Sequence, residues 1–196
     1  MEKIFMDYSN KLKLIQKDLQ NQMSSYKKRL QHIEGVALRM QEFSNVYALD
    51  LTTSLLIAYL HDFTKKQDEH WHLTHMYQEH KLLFKDYPYY QHAASAYYVA
   101  KNVYKVEDHN ILHAILCHCT GHATLNIYAK LMIISDVCEP SRQYEDTHEI
   151  YELALIDYEK AYELALNLKF QGHLKEERNI HPWFKDAIRK IEEYHE

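Results

Sequence analysis

The chain has little of what builds sheets, staples or membrane spans. Only 3 Gly and 3 Pro occur in 196 residues. Sheets need turn residues at every reversal, so this scarcity argues against a strand-rich fold and for long helices. The three cysteines, Cys117, Cys119 and Cys138, fit reduced thiols better than a disulfide framework. The densest basic run is Lys27-Lys28-Arg29 and the net charge is −5 with His neutral, so no nucleic-acid-binding face is expected. Apolar stretches break off well short of membrane-spanning length. Glu2, Lys3 and Asp7 stand where a signal peptide would carry its apolar core. The expectation is a cytoplasmic protein with no membrane partner.

The length fits one domain with a small extension, read as 1–24 and 25–196. Apolar content of 46% and charged content of 26% are ordinary for a globular chain that can bury a core without staples. The 17 Tyr suit half-buried helix faces, where the ring packs and the hydroxyl reaches water. The 15 His are more telling. Several lie beside acids in or at the ends of apolar segments, where an unpaired imidazole is costly.

Periodicity predicts an all-α protein. Leu12, Ile15, Leu19 and Met23 mark a helix over 1–23. Ser24 or Ser25 would cap a second, running to about Phe43, in which Gly35 implies close approach of another backbone. Thr52 or Thr53 would cap a third, Ser54 to about Phe63, buried on nearly all sides. Residues 64–91 read as a loop with short helical pieces. Helices are expected over Ala93–Tyr104, over Ile111–Cys119 behind an Asp108 cap, and over Leu125–Cys138, stopped by Glu139-Pro140. One long amphipathic helix is expected over 146–169. In it Tyr-Glu-Leu-Ala-Leu recurs at 151–155 and 162–166, an offset near three turns that puts both copies on one face. His181-Pro182 opens a short last helix. No linker divides the chain.

His61-Asp62 ends the buried third helix. A metal ion would satisfy both groups, although a C-terminal His favoured by the helix dipole beside a solvated Asp explains the dipeptide alone. His32 shares a helix face with Arg29, three residues away. His118 closes an apolar helix, and Asp136 lies among Ile133, Ile134 and Val137, where a lone carboxylate is expensive. With His92 these form an ordered series, His…His-Asp…His…His…Asp.

In this order the chain resembles the HD superfamily of metal-dependent phosphohydrolases. It is most similar to the bacterial YqeK family of symmetrical diadenosine tetraphosphate hydrolases. The similarity spans about residues 26–190 and rests on RLQHIEGV (29–36), AYLHDFTK (58–65), HAASAY (92–97), HCTG (118–121), ISDVCEPSR (134–142) and NIHPWF (179–184). The HD pair alone is weak, whereas its combination with His-x-Thr-Gly and Asp-x-x-Glu-Pro-x-Arg is specific. The resemblance implies an HD-domain helical bundle with a metal site between helices. It implies iron, as one or two ions, held by His32, His61, Asp62 and Asp136. It also implies a nucleotide site of Arg29, Asp62, Lys65, His92, His118, Cys119, Asp136, Arg142 and the segment Asn179, Ile180, His181, Pro182, Trp183, Phe184. The chain departs from the family at Cys119, usually Thr, at Ala129, usually Glu, and in the loop Gln143-Tyr144-Glu145-Asp146, which lacks the usual Pro-Gly.

The chemistry is coherent without the family. Mixed imidazole and carboxylate ligands suit Fe, Mn or Zn over Mg. Such a site leaves positions open and makes water a nucleophile near neutral pH. Lys65, one turn beyond His61, can reach phosphate. Arg29 and Arg142 can neutralise charge on the transferring and leaving groups. Asp62, Lys65 and Arg142 are therefore the expected catalytic residues. His92 and His118 could bind phosphate or a second metal. The expected partner is a nucleotide, a dinucleoside polyphosphate with ADP as product, and a homodimer is compatible with the chain. The rival readings are an HD phosphohydrolase for another nucleotide or phosphomonoester, and a nucleotide-binding regulator. A zinc knuckle is a poor reading, since no second Cys pair joins Cys117 and Cys119. A Cys–His nucleophile is also disfavoured, because no Cys lies in an activating motif.

Overall fold

Asp7 accepts a hydrogen bond from the Ser9 amide and opens helix α1 (Tyr8–Gln22). The structure, a computed structural model, describes residues 7–142 and 146–195. The expected start of this helix at residue 1 and the altered loop residues Gln143-Tyr144-Glu145 lie outside the described residues. Ile15, Leu19 and Met23 are buried, and α1 packs on α3 (Leu51–Leu60).

Two helices begin differently from expectation. Neither Ser24 nor Ser25 caps α2 (Lys27–Val46), which is entered through Tyr26 without a side-chain cap. A tight turn, with the Tyr26 amide 2.7 Å from the Met23 carbonyl, uses up the Ser pair. Helix α3 starts three residues earlier than expected, because Asp50 rather than Thr52 or Thr53 is its cap and accepts from the Thr53 amide at 2.7 Å. A carboxylate there also complements the helix dipole.

Residues 64–91 do contain short helical pieces: α4 (Glu69–Thr74), α5 (Gln78–Phe84) and a 3₁₀ turn at Pro88–Tyr90. Helix α6 (Gln91–Asn102) follows directly. Asp108 caps α7 (His109–Cys117), accepting from the Asn110 amide at 2.7 Å as its position implied. The turn after it needs Gly121, whose φ is +64°. Helix α8 (Ile127–Cys138) stops at Glu139-Pro140 as expected.

The single helix expected over 146–169 is two, α9 (Thr147–Ala154) and α10 (Tyr158–Lys175). The Asp157 side chain accepts from the Lys160 amide and starts the second, while a turn at Leu155–Asp157 closes the first. The two Tyr-Glu-Leu-Ala-Leu copies therefore sit on different helices rather than along one face. Pro182 opens α11 (Pro182–His195), longer than the short helix expected.

The described residues contain no strand and no helix long and apolar enough to cross a membrane. Helix α2 lies against α3 and α8, α10 against α8, and α7 bridges α6 and α8. One apolar core joins them, and all three cysteines are buried and unpaired. The interior thus carries the ends of α3, α7 and α8 towards the second turn of α2.

Because Leu19 is buried in that shared core, Leu19→Ala should cost about 2–5 kcal/mol in urea unfolding. A loss under about 0.5 kcal/mol, the scale of a surface change, would mean that α1 is only loosely docked.

Candidate metal centre

Three helices deliver the four expected donors to one buried place. His32 lies in the second turn of α2, His61 and Asp62 directly follow α3, and Asp136 is in the last turn of α8. His32 Nε2 is 3.2 Å from Asp136 Oδ1 and 3.8 Å from Asp62 Oδ2, and His61 Nε2 is 3.6 Å from the same Asp62 oxygen. The nitrogens nevertheless lack a hydrogen-bond partner: Nε2 of both His32 and His61 is buried and unsatisfied. Leaving a buried polar atom unmade costs about 1–3 kcal/mol.

The imidazoles face this way because their other nitrogens are already held. His32 Nδ1 lies 3.1 Å from Glu139 Oε1, His61 Nδ1 2.6 Å from the Ala58 carbonyl, and His118 Nδ1 2.7 Å from the Ile115 carbonyl. Each Nδ1 is held outward, which turns Nε2 inward, where the neutral ring offers its lone pair to a metal. Burial holds His61 down to about 3, so its ring is neutral near pH 7. Burial would raise the Asp136 carboxyl, but the Lys169 ammonium keeps it well below the usual carboxylate range. Asp62 is also held low against its burial, by Lys65 and by hydrogen bonds with His118 and His92. Neutral imidazoles and ionised carboxylates are what a cation binds. His32, His61 and Asp62 converge tightly enough to hold a metal ion, and Asp136 stands beside His32.

Cations surround the carboxylates. Arg29 bonds Asp62 Oδ2, Arg142 Nη2 is 3.4 Å from Asp136 Oδ1, and Lys169 Nζ is 2.7 Å from Asp136 Oδ2. An open cavity of about 400 Å³ leads to the cluster, lined by Lys28, Arg29, Lys66 and Arg142 together with His32, Ser141 and the carboxylate of Glu139. Its rim suits a polyanion.

The HD-domain family model matches residues 29–141, which contain the whole cluster. The chain belongs to the HD-domain family. A Halalkalibacterium halodurans protein named symmetrical bis(5'-nucleosyl)-tetraphosphatase is 30% identical over 159 residues, 79% of this chain and 83% of that protein. A Bacillus subtilis protein of the same name is 25% identical over 133 residues, 66% of this chain and 71% of that one. A solved Clostridium acetobutylicum structure, described as a predicted HD superfamily hydrolase involved in NAD metabolism, superposes with a TM-score of 0.82. It covers 93% of this chain and 97% of its own at 21% identity, a likeness of fold. The resemblance to the YqeK-type HD hydrolases, drawn from motifs, is borne out.

The other expected residues of this HD domain divide into two sets. His92, His118 and Cys119 meet beside Asp62, with His92 Nε2 3.1 Å from Asp62 Oδ1. Lys65 Nζ is 3.2 Å from the His92 ring nitrogens and lies over the Tyr89 ring. Thr64 and Ser95 fix His92 from behind through its carbonyl. The segment Asn179–Phe184 is placed differently. Ile180, His181 and Phe184 are buried side chains, and His181 stacks on Phe84. Trp183 packs edge-on to His122, and Asn179 donates to the Asp86 carbonyl.

Two residues of the HD cluster were not singled out from sequence. Glu139 belongs to the Asp-x-x-Glu-Pro motif but had been read only as a helix stop, and it orients His32. Burial would raise its carboxyl, while hydrogen bonds with His32 and Ser141 lower it. Lys169 lies on an amphipathic helix, where a cation normally faces water. Gly35 does mark a close approach, but to the Glu139 side chain and the Pro140 ring rather than to a backbone. A Cβ there would fall 2.5 Å from Glu139 Oε2 and 3.2 Å from Pro140 Cδ.

Gly35→Ala should therefore displace Glu139 and release His32. Metal affinity is expected to fall about 10–100-fold, as for other lost partners of ligand imidazoles, with helical circular dichroism retained. Unchanged affinity by competitive chelator titration would show that Glu139 does not govern His32.

Proposed function

We propose that this HD domain hydrolyses diadenosine tetraphosphate symmetrically to two ADP. The observation that carries this reading is the buried His/Asp cluster with a cationic mouth, in a chain whose relatives are named symmetrical tetraphosphatases. His32, His61, Asp62 and Asp136 would hold the metal, for which iron is the choice and Mn the alternative. When bound, it supplies Lewis acidity and activates water near neutral pH.

The remaining steps belong to the chain. Arg29 and Arg142 neutralise phosphate charge from opposite carboxylates of the cluster, and Lys65 takes a neighbouring phosphate. His92, His118 and Cys119 border the same space. Asn179–Phe184 completes one nucleotide half, through its backbone and the half-buried Trp183, since Ile180, His181 and Phe184 are turned into the core. Water attack next to the central bridging oxygen makes both products ADP. The catalytic unit is 25–196, with 1–24 as an extension. The same reading includes a cytoplasmic location, no nucleic-acid partner, and a homodimer as an allowed assembly.

Chromatography of products in isotopically labelled water should give ADP alone, with one label per two ADP. ATP plus AMP would reject symmetrical cleavage, a preference for mononucleotides would favour a generic HD phosphatase, and tight ADP binding with negligible turnover a regulator. His61→Ala, Asp62→Ala and Asp136→Asn should each lose metal together with activity. Arg142→Ala should keep the metal and slow turnover by about 10²-fold or more. Stoichiometric metal in the first three variants, or unchanged kinetics in the last, would overturn these assignments.

A further inference from the structure

The HD cluster continues outward from Asp62 through Lys65 to a cationic ledge. Asp62 Oδ2 faces Arg29 and His32, while Oδ1 lies 3.1 Å from His92 Nε2. Lys65 Nζ is 3.2 Å from the His92 ring nitrogens and 4.6 Å from the centroid of the Tyr89 ring. The Arg178 guanidinium covers the same ring at 3.7 Å. Tyr89 is 40% exposed and the Arg178 side chain 26%, so a ligand can reach both. Neither residue lies in the motif blocks that carry the HD resemblance.

Arg178 is placed there by a turn that its sequence does not favour. Helix α10 closes with the Arg178 amide on the His173 carbonyl and the Glu177 amide on that of Leu174, both at 3.0 Å. This closure puts Glu177 in the left-handed region, with φ of +53°. Glycine usually stands at such a position, because a Cβ is strained there. The ring beneath Arg178 is fixed as well. His173 stands edge-on to Tyr89 at 4.8 Å, and its Nδ1 is 2.6 Å from the Tyr90 hydroxyl. Burial first, then Lys169, Arg178 and Lys65, hold His173 down to about 4, so it is neutral near pH 7 and the ledge draws its charge from Lys and Arg.

A guanidinium stacked by its face keeps its edge N–H groups for an oxyanion. Arg178 Nη2 pairs with the exposed Glu176 carboxylate, and exposed pairs are weak enough to exchange. We infer that Tyr89 and Arg178 form the seat for the outer phosphate of a polyphosphate chain. This phosphate lies one position beyond that taken by Lys65, next to the nucleoside half assigned to Asn179–Phe184. Arg178 donates to it, and Tyr89 holds the guanidinium plane. The seat selects a chain of phosphates over a lone phosphomonoester. It deepens the tetraphosphate reading above and rests on it.

The probe is a diadenosine tetraphosphate analogue with a methylene group at the central bridge, which the metal-loaded protein can bind but not cleave there. Calorimetry should show that the natural protein prefers it to AMP. Arg178→Ala should reduce this preference by about tenfold or more, as for one lost contact to a charged group. Arg178→Lys keeps the charge but not the stacked fork, and should regain only part of it. Glu176→Gln, which releases the guanidinium, should bind the analogue about two- to fivefold more tightly. With the authentic substrate, the loss in Arg178→Ala should appear in KM rather than kcat. An unchanged preference in Arg178→Ala, or weaker binding in Glu176→Gln, would overturn the inference. If the preference depends on Arg178 but the authentic substrate yields no ADP, the seat stands and the hydrolase reading falls. ADP production with unaltered binding and kinetics in Arg178→Ala would do the reverse.

Discussion

The outward hydrogen bond from each imidazole Nδ1 is the interaction on which the rest of the centre depends. His61 and His118 make it to carbonyls three residues earlier in their own helices, those of Ala58 and Ile115. A residue just past a helix end can do this because the last carbonyls have no amide partner. The two rings are thereby aimed by the same backbone feature that terminates α3 and α7. His32 lies inside a helix where carbonyls are used, so it needs a side chain, Glu139, brought from beyond α8. That requirement explains why Gly35 sits where it does: only an absent Cβ leaves room for Glu139 and Pro140.

Burial sets the electrostatic problem that this arrangement answers. Asp62 and Asp136 are ionised inside a helical core, and isolated buried carboxylates are costly. Arg29, Arg142 and Lys169 offset them along one side, leaving the imidazole side for a cation. The arginines approach from the rim of the open cavity and can serve a phosphate there as well as the carboxylates. Lys169 differs, since it is partly buried between Asp136 and the His118 carbonyl and ties α10 to the ends of both α7 and α8.

Much of this was legible in sequence, and the exceptions have physical causes. The Asp108 cap stands directly before an apolar run, so its position alone announced α7. The Asp157 cap was hidden, because an 11-residue spacing keeps apolar phase across the break and Asp157 resembled another acid on a polar face. Asp50 was passed over for hydroxyl caps two and three residues later. The ordered His and Asp motifs picked out His32, His61, Asp62 and Asp136, since acids and imidazoles amid Ile, Leu and Val are rare without a partner. Lys169 gave no such signal, because long cationic side chains are common on half-exposed helices. Nor did spacing place Cys119 against two imidazoles, which arises from tertiary contact between the start of α6 and the end of α7. His181 and Phe184 carried a motif, yet their side chains serve an aromatic cluster with Phe84 and Tyr87.

The central claim is that four side chains aimed from three helices form a metal site. Anomalous scattering from crystals of the metal-loaded protein, collected at the absorption edge of the bound metal, tests it most directly. The account predicts a peak about 2.0–2.2 Å from Nε2 of His32 and His61 and from oxygens of Asp62 and Asp136. A peak away from these atoms, for instance at the separate His113–His122 pair, with none between His32 and His61, would contradict it.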